Sequence, residues 1–376
     1  DSTAIEAGEQ SYVELEGKGS SVSFTAEVPG NAIDLRFTLP DHKAGSVDVR
    51  VNGETAATFN LSSETAYQYV QKSKVFDEEK DKLPGEGPAH ARFQFDEVHT
   101  LLNRQVNPGD TVSVVRTESE GYAYGIDFIE LEQAPPEIPR PDNSVSITDD
   151  DLTVTEEKAP GVWETRKVYA HPNDGKDDSE AFLAALKRAS DENKTLYIPR
   201  GTFEFDGQLV VRHSPDDNHQ LMIQGAGIWY TNVFFRNPNK ASGGIVLEHT
   251  SHDLQFRDFY MSTNLKSRYD EGANYKGFQG VTKNSQFENL WIEHFECGFW
   301  MGDYVNENQM QYTENMLVDH SRIRNNFADG LNYSQGSRDS AVRNSNIRGN
   351  GDDGLASWSS HAQSLPHEAV QYVSNA

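Results

Sequence analysis

Near the C-terminal end of the 376-residue chain, two stretches carry aspartates at a repeated spacing. Ser321-Arg-Ile-Arg-Asn-Asn-Phe-Ala-Asp-Gly-Leu-Asn332 overlays Ser345-Asn-Ile-Arg-Gly-Asn-Gly-Asp-Asp-Gly-Leu-Ala356 without a gap, so that Asp329 falls on Asp353, Gly330 on Gly354 and Leu331 on Leu355. In a stack of coils, equivalent residues of successive turns lie about 4.8 Å apart at the backbone. Asp329 and Asp353 then stand side by side, with Asp352 as their neighbour. A single Asp-Gly reads as a turn, because Asp bonds its own backbone and Gly supplies positive φ. Two stacked pairs with a third carboxylate are different: like charges at that range repel, which costs stability unless a cation, a shared proton or a reaction compensates. Glycoside cleavage is such a reaction. It needs one protonated carboxyl to release the leaving oxygen and one carboxylate to attack or to activate water, about 6.5–9.5 Å apart for inversion and about 5–5.5 Å for retention. The stacked pair is too close to be acid and base of an inverting enzyme. That leaves Asp329 and Asp353 to hold the attacking water and Asp352, displaced along the coil, to act as general acid.

Positioning these residues takes a solenoid. A looser copy, Ile292-Glu-His-Phe-Glu-Cys-Gly-Phe299, precedes the two repeats, and the short strands around them are rich in Asn and Gly with no helical pattern. Self-similarity of this kind is the signature of stacked coils, here a right-handed parallel β-helix over residues 161–376. One helix is predicted at its N-terminal end, where Asp177-Asp178-Ser179-Glu180 reads as an N-cap ahead of Phe182, Ala185, Leu186 and Ala189 at helical spacing. The chain ends on the strand-like Ala369-Val-Gln-Tyr-Val373 with no polar cap, so the β-helix is expected to lack C-terminal coils. Residues 1–133 read differently. Val22, Phe24, Ala26, Val28, then Ile33, Leu35, Phe37, Leu39, then Val47, Val49 and Val51 alternate with polar residues, and Asn52-Gly53 is a type I′ hairpin signal. About seven such strands predict an antiparallel β-sandwich, with Ser62 to Pro88 as a loop. Between the two domains, residues 134–160 open on Ala134-Pro135-Pro136-Glu137-Ile138-Pro139 and read as a semi-rigid linker. The fold class is therefore all-β with one capping helix.

Composition limits the partners. Asp and Glu number 59 against 33 Lys and Arg, a formal net charge of −26, which disfavours nucleic acid and anionic membrane surfaces. There is no apolar run of membrane-spanning length, and Asp1-Ser2-Thr3 lacks a signal-peptide pattern, so a leader is expected to have been removed from a secreted, extracellular, monomeric protein. Cys297 is the sole cysteine, which excludes a disulfide framework and a multi-cysteine metal site. No cofactor motif is found: the phosphate loop, His-Glu-x-x-His and Gly-x-Ser-x-Gly patterns are absent. The acidity admits structural calcium, but no ligand set can be named.

Phe327-Ala328-Asp329-Gly330 followed by Gly351-Asp352-Asp353-Gly354 resembles the catalytic region of glycoside hydrolase family 87, the bacterial α-1,3-glucanases and mycodextranases. The resemblance extends to Asn31-Ala-Ile-Asp-Leu-Arg-Phe-Thr-Leu-Pro40, Arg50-Val-Asn-Gly53, Phe95-Asp-Glu-Val98 and Asp127-Phe-Ile-Glu-Leu-Glu-Gln133, and so covers nearly all of the chain. It implies a carbohydrate-binding-module-like β-sandwich joined to a β-helix, and a polysaccharide hydrolase endo-acting on α-1,3-glucan with inversion. It also implies that Asp329, Asp352 and Asp353 are catalytic, with Asp352 as the acid. Polygalacturonases carry a similar Asp followed some twenty residues later by Asp-Asp, but their Asn-Thr-Asp is Phe327-Ala328-Asp329 here, and their later Gly-His-Gly and Arg-Ile-Lys elements are not seen. The alternatives are another β-helix glycosidase, acting on nigeran, dextran or polygalacturonan, and a non-catalytic glycan-binding protein.

Trp300, Trp358 and Tyr333 lie within a few residues of the aspartates or of their counterparts in the looser copy, and His294 is close by; all four are candidate sugar-binding residues. Each has a bland reading beside it, since aromatics also fill β-helix cores and histidines also sit at coil corners. Tyr67, Tyr69, Tyr122 and Tyr124 carry the same two readings in the sandwich. Cys297, aligned with Asp329, reads as a core thiol.

Overall fold

The computed structural model describes residues 4–65, 67–70, 90–93, 95–236, 242–265, 268, 275–302, 311–334, 336–358, 371–373 and 375. The chain divides into two compact units, Asp1–Pro136 and Glu137–Ala376.

The first unit contains two four-stranded antiparallel sheets. One runs in the order Val13–Leu15, Tyr124–Glu132, Gly30–Thr38, Asp96–Val106, and the other Ser21–Thr25, Thr111–Arg116, Ala44–Val51, Glu54–Ser62. The period-two alternation directs Ile33, Leu35, Phe37, Val47, Val49, Val112 and Val114 into one shared core. Asn52 (φ 51°) and Gly53 (φ 86°) form the expected hairpin turn between paired residues Val51 and Glu54. The predicted loop from Ser62 holds a strand, Tyr67–Val70, paired with His90–Phe93, while residues 71–89 and the Tyr67 and Tyr69 side chains lie outside the described residues. Tyr124 is buried, its hydroxyl donating to Glu120 at 2.7 Å and its ring packed under the Arg116 guanidinium at 4.0 Å. It is a core residue and is closed to glycan.

In the second unit, seventeen strands stack in parallel as a β-helix with three faces. The first face runs through Thr195–Ile198, Leu221–Gly225, Glu314–Asp319 and Ala341–Arg343. The second runs through Gly201–Phe205, Thr231–Phe235, Arg322–Arg324 and Asn346–Arg348. The third runs through Leu209–Val211, Cys297–Met301, Leu331–Ser334 and Leu355–Trp358. Phe256, Phe278, Phe287 and Phe299 pack inside at ring separations of 4.9–5.2 Å. The interior is narrow, so each coil contributes few apolar side chains, which accounts for the 36% hydrophobic content.

The helix Ser179–Asp191 covers the end of this core with Ala181, Phe182, Ala185, Leu186 and Ala189. Its N-cap is Asp178, as the sequence predicts, but the carboxylate does not bond the first helical turn. Instead it accepts the backbone N–H of His171 (3.2 Å) and of Glu204 (3.0 Å), tying the helix start to a coil. Burial pushes this carboxyl up to about 6.

The segment read as a linker to residue 160 is not one beyond its prolines. Ser144–Ser146 pairs in parallel with Thr195–Tyr197, and Val145, Ile147 and Leu152 join the β-helix core. A hairpin, Thr153–Ala159 with Val162–Lys167, follows. Apolar residues spaced two apart were enough to add a first coil, and the prolines masked that signal.

Candidate active site

The aspartates sit at the corner where the second face passes into the third. That corner is built by a stack of left-handed residues, His294 (φ 65°), Asn325 (φ 51°) and Gly349 (φ 66°), one per coil. His294 N–H donates to Asn325 O, and Asn325 N–H to Arg348 O. Next comes an amide ladder: Asn326 Nδ2 donates to Asn350 Oδ1 at 2.9 Å, Asn326 Oδ1 accepts the Phe295 N–H, and Asn350 Nδ2 donates to Ile323 O. The repeated Ile-Arg-x-Asn of the sequence is this corner. His294 therefore serves as a corner residue, half-buried in a backbone position that few side chains adopt.

Gly330 and Gly354 are not positive-φ turn residues, contrary to the sequence reading. They belong to a column with Gly277 and Gly298 in which neighbouring backbones almost touch. A Cβ on Gly277 would stand 2.5 Å from Gly298 O, and one on Gly330 would stand 2.5 Å from Gly354 O. Glycine is required here for close approach, and that approach fixes the position of each preceding residue.

Those residues form two columns. Gly298 N–H donates to Asp329 O and Gly330 N–H to Asp353 O, which stacks Cys297, Asp329 and Asp353. Ala328 N–H donates to Glu296 O and Asp352 N–H to Ala328 O, which stacks Glu296, Ala328 and Asp352. One carboxylate oxygen from each of Asp329, Asp352 and Asp353 lies within 4.8 Å of the others. Asp329 is 8% exposed, and both of its oxygens accept hydrogen bonds, Oδ2 from Asn332 Nδ2 (2.8 Å) and Oδ1 from the Asp353 N–H (3.2 Å). Asp352 and Asp353 are exposed. Arg268 Nη1 pairs with Asp352 Oδ2 at 3.0 Å. The triplet is the single group of its kind among the described residues that is close enough to hold a cation. The Arg268 guanidinium supplies counter-charge at Asp352.

The remaining candidates separate. Trp300 is half-exposed on the outer surface of the third face, in register with Asn332, and the Lys276 ammonium lies 5.5 Å from its ring centroid. Lys276 also pairs with Glu296 at 3.1 Å. Tyr333 is no sugar platform: it is 0% exposed, packed in the β-helix core with its hydroxyl donating to Ala341 O at 3.2 Å. Successive residues of a strand face opposite ways, and Asn332, next to Tyr333, is the outward one. The side chain of Trp358 lies outside the described residues. Cys297 is fully buried, and burial, with the Asp329 and Glu296 charges, pushes its thiol well above the usual range. Sequence reasoning missed Arg268 and Asn332. Arg268 is 84 residues from its partner and left no local signal. Asn332 left one, since it is the position at which the second repeat carries Ala356 instead.

A parallel β-helix that gathers three carboxylates at one coil corner, one buried and two exposed, carries the groups that glycoside cleavage requires. Comparison with known proteins makes this specific. Family models for the α-1,3-glucanase catalytic domains D1 and D2 match residues 1–134 and 177–366, and the chain belongs to this family, glycoside hydrolase family 87. The crystal structure of the Agl-KA catalytic domain is 41% identical with a TM-score of 0.84, over 99% of this chain and 61% of that one. The catalytic unit of a thermostable α-1,3-glucanase of this family from Streptomyces thermodiastaticus strain HF3-3 is 24% identical with a TM-score of 0.73, over 98% and 57%. A third structure, an aspartate-to-alanine variant of a family 87 catalytic domain in complex with nigerose, is 23% identical with a TM-score of 0.70, over 94% and 56%. The chain thus spans about three fifths of the length of these relatives. No curated protein matches it.

Proposed function

We propose that this chain hydrolyses internal bonds of α-1,3-glucan with inversion of the anomeric carbon. The observation that carries the proposal is the convergence of Asp329, Asp352 and Asp353 at one coil corner. The family membership supports the substrate, as does the nigerose held by the family 87 structure described above. Asp329, with both oxygens accepting N–H groups, is suited to hold water as the base, and exposed Asp353 completes a pair that orients it. Asp352 protonates the leaving oxygen. The nearest oxygens of the three lie within 4.8 Å of one another, and inverting pairs hold their carboxyl groups about 6.5–9.5 Å apart. An outward turn of Asp352 as substrate enters widens its separation from Asp329. Its side chain is 55% exposed and its outward tether is the Arg268 ion pair, so the movement is open to it.

Trp300, beside Asn332 on the same outer surface, offers a ring face to a sugar next to the carboxylates. The test is incubation with insoluble α-1,3-glucan, nigeran, dextran and polygalacturonan, following reducing ends and the anomer first released by NMR. Release from α-1,3-glucan as the inverted anomer supports the proposal. A retained anomer, or preference for another polysaccharide, overturns it, and binding without turnover would make the chain a glycan-binding protein.

A further inference from the structure

We infer that Asn332 is a positioning residue for Asp329, holding the base carboxylate in one orientation through a single directed hydrogen bond. The inference rests on the reading of Asp329 as a water-holding base. Asn332 is 2% exposed, and its Nδ2 donates to Asp329 Oδ2 at 2.8 Å. With the Asp353 N–H on Oδ1, the carboxylate is gripped at both oxygens, and its plane relative to Asp353 is set. Hydrogen bonds to a carboxylate are the stronger kind and are directional.

The amide is not a structural ladder rung. At the neighbouring corner, Asn326 and Asn350 satisfy both ends of their amides along the stack. Asn332 has Trp300 on one side and Ala356 on the other, and its Oδ1 is buried without a hydrogen-bond partner. An unpaired buried amide oxygen is costly, so a residue chosen for stability alone would not be an asparagine here. The repeat agrees: the amide accompanies the buried Asp329 and is replaced by Ala356 after the exposed Asp353. The charged groups facing this pair are Asp352 and Asp353 from the following coil, the Lys276–Glu296 pair from the preceding side, and Arg268 through Asp352. Cys297 faces Asp329 as a thiol held in its neutral form.

The experiment replaces Asn332 by Leu, which keeps the size and loses the donor, and by Gln, which keeps the amide. On soluble α-1,3-gluco-oligosaccharides, Asn332→Leu is expected to lose at least about tenfold in kcat with KM within about twofold, from the worth of one hydrogen bond to a charged group. Asn332→Gln is expected to recover part of kcat. Full kcat in Asn332→Leu, a raised KM with kcat intact, or a kcat loss that simply follows Tm would overturn the inference. Crystals of Asn332→Leu give a readout independent of turnover: the Asp329 carboxylate should rotate. An unmoved carboxylate overturns the inference, whereas a wild-type protein inactive on every α-1,3-glucan would fault the functional reading instead.

Discussion

Replacing Gly330 by alanine tests whether backbone contact between coils positions the carboxylates. The new Cβ would lie 2.5 Å from Gly354 O and 2.8 Å from Asn350 Nδ2, where ordinary contact begins at 3.4 Å. The two coils must separate by 3.4 minus 2.5, about 0.9 Å, at the residue between Asp329 and the strand Leu331–Ser334. The Gly330 N–H bond to Asp353 O, now 2.9 Å, lengthens with that movement. Overpacking of this size costs about 1–3 kcal/mol. In a unit of this length that corresponds to a fall in Tm of about 2–12 °C. A displacement near 1 Å between catalytic groups lowers rate by about a hundredfold. Gly330→Ala is therefore expected to fold, to melt several degrees lower and to lose about two orders of magnitude in kcat on soluble α-1,3-gluco-oligosaccharides. Gly207→Ala is the control, since nothing lies within 4 Å of its Cβ. If Gly330→Ala keeps kcat within threefold of wild type and melts with Gly207→Ala, the backbone column does not set the site and the reasoning fails.

Asp352→Asn should lower kcat by about 10²–10⁴ with little change in KM, the usual effect of removing a general acid; an equal loss of substrate affinity would assign it to binding. Trp300→Ala should raise KM about tenfold and leave kcat near wild type if its ring carries a sugar; unchanged oligosaccharide affinity would return it to packing. Asp178 links stability to pH. Its folded value of about 6 lies above the unfolded 3.8, so the folded state keeps the proton longer, and stability falls as pH rises from about 4 to about 6. The 2.2-unit difference sets a ceiling of about 3 kcal/mol, which solvent screening reduces to about 1–2 kcal/mol; chemical denaturation of wild type and Asp178→Asn across that range would show the slope and its loss. Cys297 should resist a thiol reagent in the folded protein at neutral pH and react only on unfolding; prompt labelling would contradict its burial.

The repeat in the sequence predicts both the coil stack and the three aspartates because stacking converts a fixed offset into a neighbour relation, and the hydrogen bonds from Gly298 to Asp329 and Gly330 to Asp353 are that relation made physical. The sandwich was legible for a similar reason: Ile33, Leu35 and Phe37 obey period two and are all buried. What failed had no periodic signature. Glycine after aspartate suggested a turn, and only the interatomic approach at Gly330 reveals a packing requirement. Tyr333 sat near Asp329 in sequence and yet points into the core, because alternate strand residues face opposite ways. Arg268 reaches Asp352 from a distant coil, a contact that one sequence cannot encode locally.

The coils differ in length, and the two coils that carry the aspartates differ at one corner. From Trp291 to Arg322 and then to Asn346 the pairing steps are 31 and 24 residues. From Met301 to Leu317 the chain uses 16 residues to pass from the third face to the first, and from Tyr333 to Ala341 it uses 8. The passage that carries the aspartates keeps its length: Ile323 to Leu331 and Ile347 to Leu355 are both 8. One coil earlier that same passage is longer, Met261 to Phe278 taking 17 residues against 7 from Ile292 to Phe299, and the longer stretch holds Arg268, which pairs with Asp352. A designer could graft loops between Met301 and Leu317 to reshape the approach of a polymer while leaving the carboxylate register untouched.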